Sequence, residues 1–228
     1  MPGVMPLRGN PDVMKTTLYK LGTLCGLCAP IVWALAITLC GSLRPGYSHL
    51  SQYISELGER GSSTELLMRY AGFLPTGAMH VLFAGALYWA FKGGKIASVP
   101  ALLLALNGLG RIAAGLFPCE VGCAGPRVLL SQKLHGLAAG VGFFALIGAA
   151  VTVGFILRRQ EGSGRMSAYS LASGVLGLVF LLLMILSDES RAGTGLYERL
   201  SSGVLSLWVL VLAAALWQRK ASAWGSAT

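Results

Sequence analysis

Six long apolar runs constrain the fold of this chain more than any other feature of its sequence. A helix needs about 20 consecutive, mainly apolar residues to cross the ~30 Å hydrocarbon core of a bilayer. Six segments meet that requirement: roughly Leu21–Leu43, Arg69–Phe91, Ile96–Phe117, Leu134–Leu157, Met166–Ser187 and Leu196–Trp217. Backbone polar groups in lipid must be satisfied within each span, and the sequence lacks the alternating pattern of a membrane β-barrel. We therefore predict an all-α, polytopic integral membrane bundle of six transmembrane helices.

The lengths of these runs leave little chain for a separate soluble domain. We expect a membrane domain over residues 21–217, flanked by tails of residues 1–20 and 218–228. Charged residues make up 12% of the chain, about half the fraction usual in a soluble domain. Lys15 and Lys20 precede a first run that is long and has no small-x-small cleavage site near its end. We therefore expect an uncleaved anchor and not a signal peptide.

Charges are distributed unequally between the two faces of the predicted bundle. The tails and the second and fourth loops carry ten cations against two acids: Arg8, Lys15, Lys20, Lys92, Lys95, Arg158, Arg159, Arg165, Arg219 and Lys220 against Asp12 and Glu161. The other face carries seven cations and also seven acids, which are Glu56, Glu59, Glu65, Glu120, Asp188, Glu189 and Glu198. The positive-inside rule predicts that both termini are cytoplasmic and that loops one, three and five lie outside.

The same distribution narrows the expected partners and location. The formal net charge is +9, but the cations flank bilayer spans, where they meet anionic lipid headgroups. The sequence has no basic stripe with interleaved aromatic residues, so we expect no nucleic-acid partner. We expect membrane lipids as partners, leave a membrane-protein partner subunit open, and place the protein in a bacterial or archaeal plasma membrane.

Four short motifs carry a resemblance to a known family. The motifs are Ile54-Ser55-Glu56-Leu57-Gly58, Phe117-Pro118-Cys119-Glu120, Leu134-His135-Gly136 and Gly195-Leu196-Tyr197-Glu198-Arg199. Together they resemble the pattern of DUF998, a family of uncharacterised bacterial and archaeal membrane proteins. The family pattern has Asp at the position of Glu120 and Gln at the position of Glu198. The resemblance implies the polytopic membrane fold and implies no activity.

One arginine lies within a predicted span. Arg111 is about a turn and a half inside the outer end of span three, and Asn107 lies one turn deeper on the same face. A charge within a span is costly and therefore marks a functional candidate. A guanidinium also grips phosphate or carboxylate in a bidentate fork. We predict that Arg111 and Asn107 bind an anionic group, and the alternative is that Arg111 is a structural pin between span three and a loop.

A histidine and two carboxylates are candidates for acid–base chemistry. His135 opens span four at the outer surface, and Glu56 and Glu120 lie in outer loops one and three. An imidazole beside carboxylates suits proton transfer, so we assign these three residues candidate catalytic roles. A plain helix-terminus role for His135 stays equally open. The chain has no Gly-x-Ser-x-Gly motif, and we assign no nucleophilic serine.

Other polar residues of the outer face are candidates for ligand contact. We predict that Ser51, Asp188, Arg191 and Arg199 contact the substrate, with a solvated charged rim as the alternative. Ser51 lies in the first outer loop, where apolar residues recur at helical spacing from Leu50 to Leu57. That spacing predicts a short amphipathic helix ending at Gly58.

The histidines do not have the spacing of a metal site. No HxxxH or HxxE pattern relates His49, His80 and His135, so we predict no metal and expect no cofactor. His80 lies in the middle of span two, where we expect it to make an interhelical hydrogen bond.

The cysteines divide between the two ends of the bundle. Cys119 and Cys123 share outer loop three, and we predict a disulfide between them in an oxidising compartment. Cys25 and Cys28 lie in the inner half of span one, where small apolar packing is the expected role.

These observations favour a protein with a polar pocket that opens to the outer leaflet. We predict that it binds or processes a lipid or other amphiphile there, and whether it is an enzyme stays open. The alternatives are a small transporter and an accessory or structural subunit of a larger membrane complex. A transporter is less favoured because no matched pair of broken helices marks a midplane site.

Overall fold

The computed structural model describes residues 11–91, 95–123 and 129–225. Six helices in it are long and apolar enough to cross a membrane. They are Pro11–Leu43 (α1), Glu65–Ala90 (α2), Lys95–Leu116 (α3), Leu130–Arg158 (α4), Gly164–Leu186 (α5) and Thr194–Gly225 (α6). The described residues contain no β-strand. The prediction of an all-α membrane bundle with six spans is confirmed, and the cytoplasmic location of the termini stays a prediction. Arg8, Lys92 and Arg127, which enter the charge count, lie outside the described residues.

All six helices begin earlier than hydropathy predicts, by one to ten residues. Helix α1 begins at Pro11 and has 33 residues, which gives a length of about 50 Å at 1.5 Å per residue. It therefore exceeds the ~30 Å hydrocarbon core, and its extra turns carry Lys15 and Lys20. Helix α4 begins at Leu130 and not at Leu134. Hydropathy identifies the part of a helix that suits lipid, and the helix itself continues into the interface.

The six helices pack as a ring in chain order. Each helix contacts the next one, and α6 closes the ring by contacting α1. Glycines allow the close approaches that this packing needs. A Cβ added to Gly77 of α2 would lie 2.6 Å from the Gly108 carbonyl oxygen of α3, and one added to Gly110 would lie 2.7 Å from the Ala138 oxygen of α4. The segment of α3 around Arg111 is therefore pressed closely against both neighbours.

The loops of one face interlock over the end of the ring. We call residues 44–64, 117–123 and 187–193 the lid. The backbone N–H of Leu196 donates to the Leu50 carbonyl at 3.0 Å, and the backbone N–H of Arg60 donates to the Cys119 carbonyl at 2.9 Å. The side chain of Arg191 reaches the Gly122 carbonyl at 2.6 Å. These long-range bonds join three separate loops into one ordered layer.

The predicted amphipathic helix of the first loop is shorter than expected. Only Ile54–Gly58 is helical, as a 3₁₀ turn, and it ends at Gly58 as predicted. Leu50 lies outside it with 62% of its surface exposed. Gln52 accepts the N–H of Ser48 at 2.8 Å through its side chain. Side-chain bonds of this kind offer the backbone an alternative to helix, which explains the shortening.

Two buried apolar clusters fill the ring at different depths. The larger one includes Phe83, Leu146, Leu205 and Trp208 and extends toward the face opposite the lid. The smaller one lies where the lid meets the helices. It includes the lid residues Ile54 and Leu57 and the helix residues Trp33, Phe73 and Ala114. The candidate site lies where these two clusters meet.

Candidate functional site

A cavity of about 70 Å³ lies between the two apolar clusters. A space of about 10–15 Å³ already holds a water molecule, so this one has room for several waters or a small polar group. Its polar lining consists of Ser55, Asn107, Arg111, His135, Glu198 and Ser202. The cavity therefore joins side chains from the lid and from α3, α4 and α6.

The end of α3 is held by donors from two other helices. Pro118 follows shortly after the last helical residue, Leu116, and the final carbonyls of a helix have no partners within it. Arg69 of α2 donates to the Gly115 carbonyl at 2.7 Å. His135 of α4 lies with Nδ1 2.9 Å from the Phe117 oxygen. These cross-helix caps fix the segment of α3 that carries Arg111.

Arg111 is a cation with few described partners. Its guanidinium carbon lies 4.2 Å from the centroid of the Trp33 ring. Its one described hydrogen bond runs from Nη1 to the Thr76 hydroxyl oxygen at 3.5 Å, the weak limit of such a bond. Among the residues that the structure describes, no carboxylate oxygen lies within 4.0 Å of it. The face of the guanidinium stacks on indole, while most of its donors stay available at the cavity.

His135 is oriented by the end of α3. Nδ1 lies 3.1 Å from the Ala114 oxygen as well as near Phe117, so this nitrogen is the donor. In the neutral ring the other nitrogen, Nε2, is then an acceptor. The side chain is buried with 5% of its surface exposed, and it lines the cavity. His135 therefore caps the end of α3 from the sixth position of α4, and it does not lie at the terminus of its own helix. Its acid–base role, which would use Nε2, stays a prediction.

The carboxylate that lines the cavity is Glu198. It lies in the second turn of α6, and Oε2 accepts the Ile54 N–H at 2.5 Å. We did not assign it a role from the sequence, although it lies in one of the four family motifs. Ser202, which also lines the cavity, is four residues later and so on the same helix face. That spacing is the signal that could have identified both residues.

The two carboxylates that we predicted beside His135 do not line this cavity. Glu56 is buried in the lid, where Oε1 accepts from Arg191 at 3.0 Å and Oε2 from Gln52 at 2.7 Å. Glu120 lies at the surface and pairs with Arg60 at 3.1 Å. Both carboxylates join parts of the lid to each other. Their catalytic roles stay predictions.

Asn107 lies deeper on the cavity wall and links three helices. Its Nδ2 donates to the Gly142 carbonyl of α4 at 2.9 Å. Its Oδ1 lies 2.6 Å from Nδ1 of His80 in α2, which confirms the interhelical hydrogen bond predicted for His80. Because both ends of the amide are engaged, Asn107 contributes rigidity to the cavity floor.

The remaining predicted contact residues lie in the lid or at its edge. Ser51 lies in a turn, with its N–H 3.4 Å from the Ser48 hydroxyl. Asp188 accepts from the Tyr53 hydroxyl at 2.6 Å. Arg191 stacks 4.8 Å from the centroid of the Tyr53 ring. The structure does not place these residues on the cavity, and their contact with a substrate stays a prediction.

Arg199 forms a separate cluster near the start of α6. It donates to the Gln52 carbonyl at 2.9 Å and to Nδ1 of His49 at 3.1 Å, and it also bonds the Tyr47 hydroxyl. Burial, and then the nearby Arg199, lower the pKa of His49. Burial also raises the pKa of Tyr47. The cluster therefore favours a neutral imidazole and a neutral phenol around one cation.

The predicted cysteine pair is joined in the lid. Cys119 and Cys123 form a disulfide with their Cα atoms 5.1 Å apart. Their sulfurs and one ring nitrogen of His135 lie within 4.8 Å of one another. Metal ligation by cysteine requires thiolates, and sulfurs joined in a disulfide do not provide them. We therefore assign no metal to this group.

A family model described as Protein of unknown function (DUF998) matches residues 27–215. The matched range contains four of the six helices in full, about two thirds of α6, about half of α1, and all four motifs that carry the resemblance. A search of curated proteins and a search of solved structures each found no match. The protein therefore belongs to the DUF998 family of membrane proteins.

Proposed function

We propose that this protein binds, or binds and processes, a lipid or other amphiphile whose anionic group occupies the cavity beside Arg111. The lid face is the outer face in this proposal, and the ligand enters from the outer leaflet of a bacterial or archaeal plasma membrane. The observation that carries the proposal is the unpaired guanidinium at the cavity wall. Membrane lipids are its proposed partners.

The electrostatics of Arg111 support an anionic ligand. A charged side chain costs about 2.5–3.5 kcal/mol at the centre of a spanning helix on insertion scales, and Arg111, which lies nearer the end of α3, costs at most that. Stacking on Trp33 at 4.2 Å offsets about 2 kcal/mol of this when the pair is desolvated. A phosphate or carboxylate would offset the rest and would accept the in-plane donors that the indole leaves available.

The two proton-exchanging groups at the cavity support a processing role. His135 and Glu198 reach the same cavity as Arg111, from α4 and α6. Each is held through one atom, His135 through Nδ1 and Glu198 through Oε2. Held groups of this kind can exchange a proton with a ligand fixed by Arg111, as general acid–base catalysis requires.

The depth of the polar lining favours a binding pocket over a transport route. Toward the face opposite the lid, the ring is filled by apolar side chains such as Phe83, Leu104, Val153 and Trp208, each with no exposed surface. Transport would need polar groups that continue through the full thickness of the bundle. The buried carboxylates that the structure describes all lie at the lid end. The polar groups farther from the lid include hydroxyls that are engaged within the bundle, such as Ser167 with the Gly154 carbonyl at 2.8 Å and Ser170 with the Trp208 indole at 3.0 Å.

Lipid titration followed by native mass spectrometry tests the proposal. Wild type, Arg111→Gln and the matched control Arg60→Gln would be titrated in neutral detergent with phosphatidylglycerol, and with diacylglycerol as a probe without phosphate. Arg60 lies in the lid with 55% of its side chain exposed and does not line the cavity. We expect Arg111→Gln to weaken phosphatidylglycerol binding about ten- to a hundredfold, as loss of charge-assisted hydrogen bonds implies. Equal binding by wild type and Arg111→Gln would refute the proposal.

A further inference from the structure

A second space lies beside the cavity, between α1 and α6. It has a volume of about 520 Å³ and is lined mainly by apolar side chains. Ile31, Leu35 and Leu207 on its wall have half or more of their surface exposed, as expected for residues that face lipid. We call this space the α1–α6 groove. It lies on the side of the bundle that the hydrocarbon core surrounds.

The groove has the depth of one leaflet. Its wall on α6 extends from Arg199 to Leu210, which is about 16 Å of helix at 1.5 Å per residue. The hydrocarbon core is ~30 Å thick, so this is about half of it. Arg199 marks the lid end of the groove, and Leu210 marks its deep end.

A glycine keeps the groove open. A Cβ added to Gly203 would meet no atom within 4 Å, so this glycine does not serve a close contact between helices. Glycine within a helix costs about 1 kcal/mol relative to alanine. The absence of a side chain here instead maintains the space along α6.

The groove and the cavity share one wall. Trp33, Ile54 and Ser202 line both spaces. The Trp33 indole donates to the Ser202 hydroxyl at 2.9 Å and carries Arg111 on its ring at 4.2 Å. One indole and one neutral hydrogen bond therefore stand between the apolar groove and the cation of the cavity.

We propose that the α1–α6 groove holds the hydrocarbon chain of the ligand whose anionic group contacts Arg111, with Trp33 and Ser202 at the junction. This inference rests on the proposed function and narrows the ligand to an anionic lipid with an acyl chain. The groove and the anionic site are adjacent across this shared wall, so a ligand that occupies both must displace the Trp33–Ser202 hydrogen bond. The one-leaflet depth fits a chain that stays within the outer leaflet. Lipid that merely surrounds the protein would have no relation to Arg111.

Filling the groove tests the inference. Gly203→Phe places a ring in it, and Gly140→Phe is the matched control. A Cβ at Gly140 also meets nothing within 4 Å, and this residue lies about as far from the start of its helix as Gly203 does. Binding of long-chain phosphatidylglycerol and of water-soluble glycerol phosphate would be measured for both variants, wild type and Arg111→Gln.

We expect Gly203→Phe to weaken binding of the long-chain lipid about five- to a hundredfold, since overpacking an occupied space carries a cost of that order. Glycerol phosphate binding should not change, and Gly140→Phe should match wild type for both probes. If Gly203→Phe binds the lipid like wild type while Arg111→Gln loses both probes, the groove inference is wrong and the proposed function stands. If Arg111→Gln retains both, the proposed function itself fails.

Photo-cross-linking gives an independent readout. A phosphatidylglycerol with a diazirine in its acyl chain should label α1 and α6 around Trp33 and Gly203 in wild type. Labelling there should fall in Arg111→Gln, because the chain is then no longer anchored. Even labelling of all lipid-facing helices, unchanged in Arg111→Gln, would overturn the inference.

Discussion

Replacement of Arg111 by methionine separates a ligand-binding role from a structural one. A charged residue in a span costs at most about 2.5–3.5 kcal/mol, the value at the helix centre, and the indole at 4.2 Å offsets about 2 kcal/mol. The contact with the Thr76 hydroxyl at 3.5 Å is too long to add much. The remaining cost is at most about 0.5–1.5 kcal/mol, which methionine would remove. We therefore expect lipid-free Arg111→Met to equal wild type in unfolding free energy or to exceed it by about 1 kcal/mol.

Denaturant unfolding in detergent, followed by tryptophan fluorescence, measures this difference. Phosphatidylglycerol should then stabilise wild type by about 2.7 kcal/mol at a hundredfold excess over its dissociation constant and should leave Arg111→Met unchanged. If Arg111 instead pinned α3 to a buried carboxylate, its loss would cost about 3–5 kcal/mol. A loss of that size in the lipid-free protein, with equal lipid stabilisation of both forms, would refute the reasoning.

Three further predictions concern the lid. Glu56→Gln should lower the free energy of unfolding by about 1–3 kcal/mol, because one of the two acceptor oxygens and the charge facing Arg191 are lost in a buried site. Glu120→Gln at the surface should cost less than about 1 kcal/mol, and denaturant unfolding compares the two. The pKa of His49 is lowered in the folded protein, so unfolding takes up a proton. The free energy of unfolding should therefore fall as the pH drops below the ordinary histidine pKa, about 6.5. Thermal scans over this pH range should show a smaller fall for His49→Asn than for wild type. Reduction of Cys119–Cys123 should cost about 2 kcal/mol, as the loop-entropy model gives for so short a loop, measured by unfolding with and without dithiothreitol.

Each of these predictions has a contrary outcome. Equal losses in Glu56→Gln and Glu120→Gln would mean that burial of the lid carboxylate does not matter. Greater stability at acidic pH, attributable to His49, would reverse the inferred direction of its pKa. A loss of stability on reduction that persists in Cys119→Ser would contradict the third prediction. The other cysteines, Cys25, Cys28 and Cys40, are free thiols, so the reductant would have no disulfide to break in that variant.

Part of the candidate site could be predicted from the sequence. Arg111 is recognisable because a charged residue within an apolar run is unusual, and His135 because it opens such a run on the face that carries the carboxylates. The structure places both on one cavity. Glu56 looked equally suitable as the carboxylate beside them. Its position in a loop gave no information on direction, and the fold turns it toward Arg191 at 3.0 Å.

The sequence by itself determined the number of spans, the class of fold and the disulfide pair. Those properties depend on local quantities, because the transfer free energy of a helix sums over about 20 neighbouring residues and the two cysteines lie four positions apart. Only the tertiary structure decided that Glu198 and Trp33, which are 165 positions apart, share a wall with Arg111. That arrangement depends on how α1 closes against α6 and how the lid residue Ile54 meets Glu198. No local pattern encodes the relative rotation of distant helices.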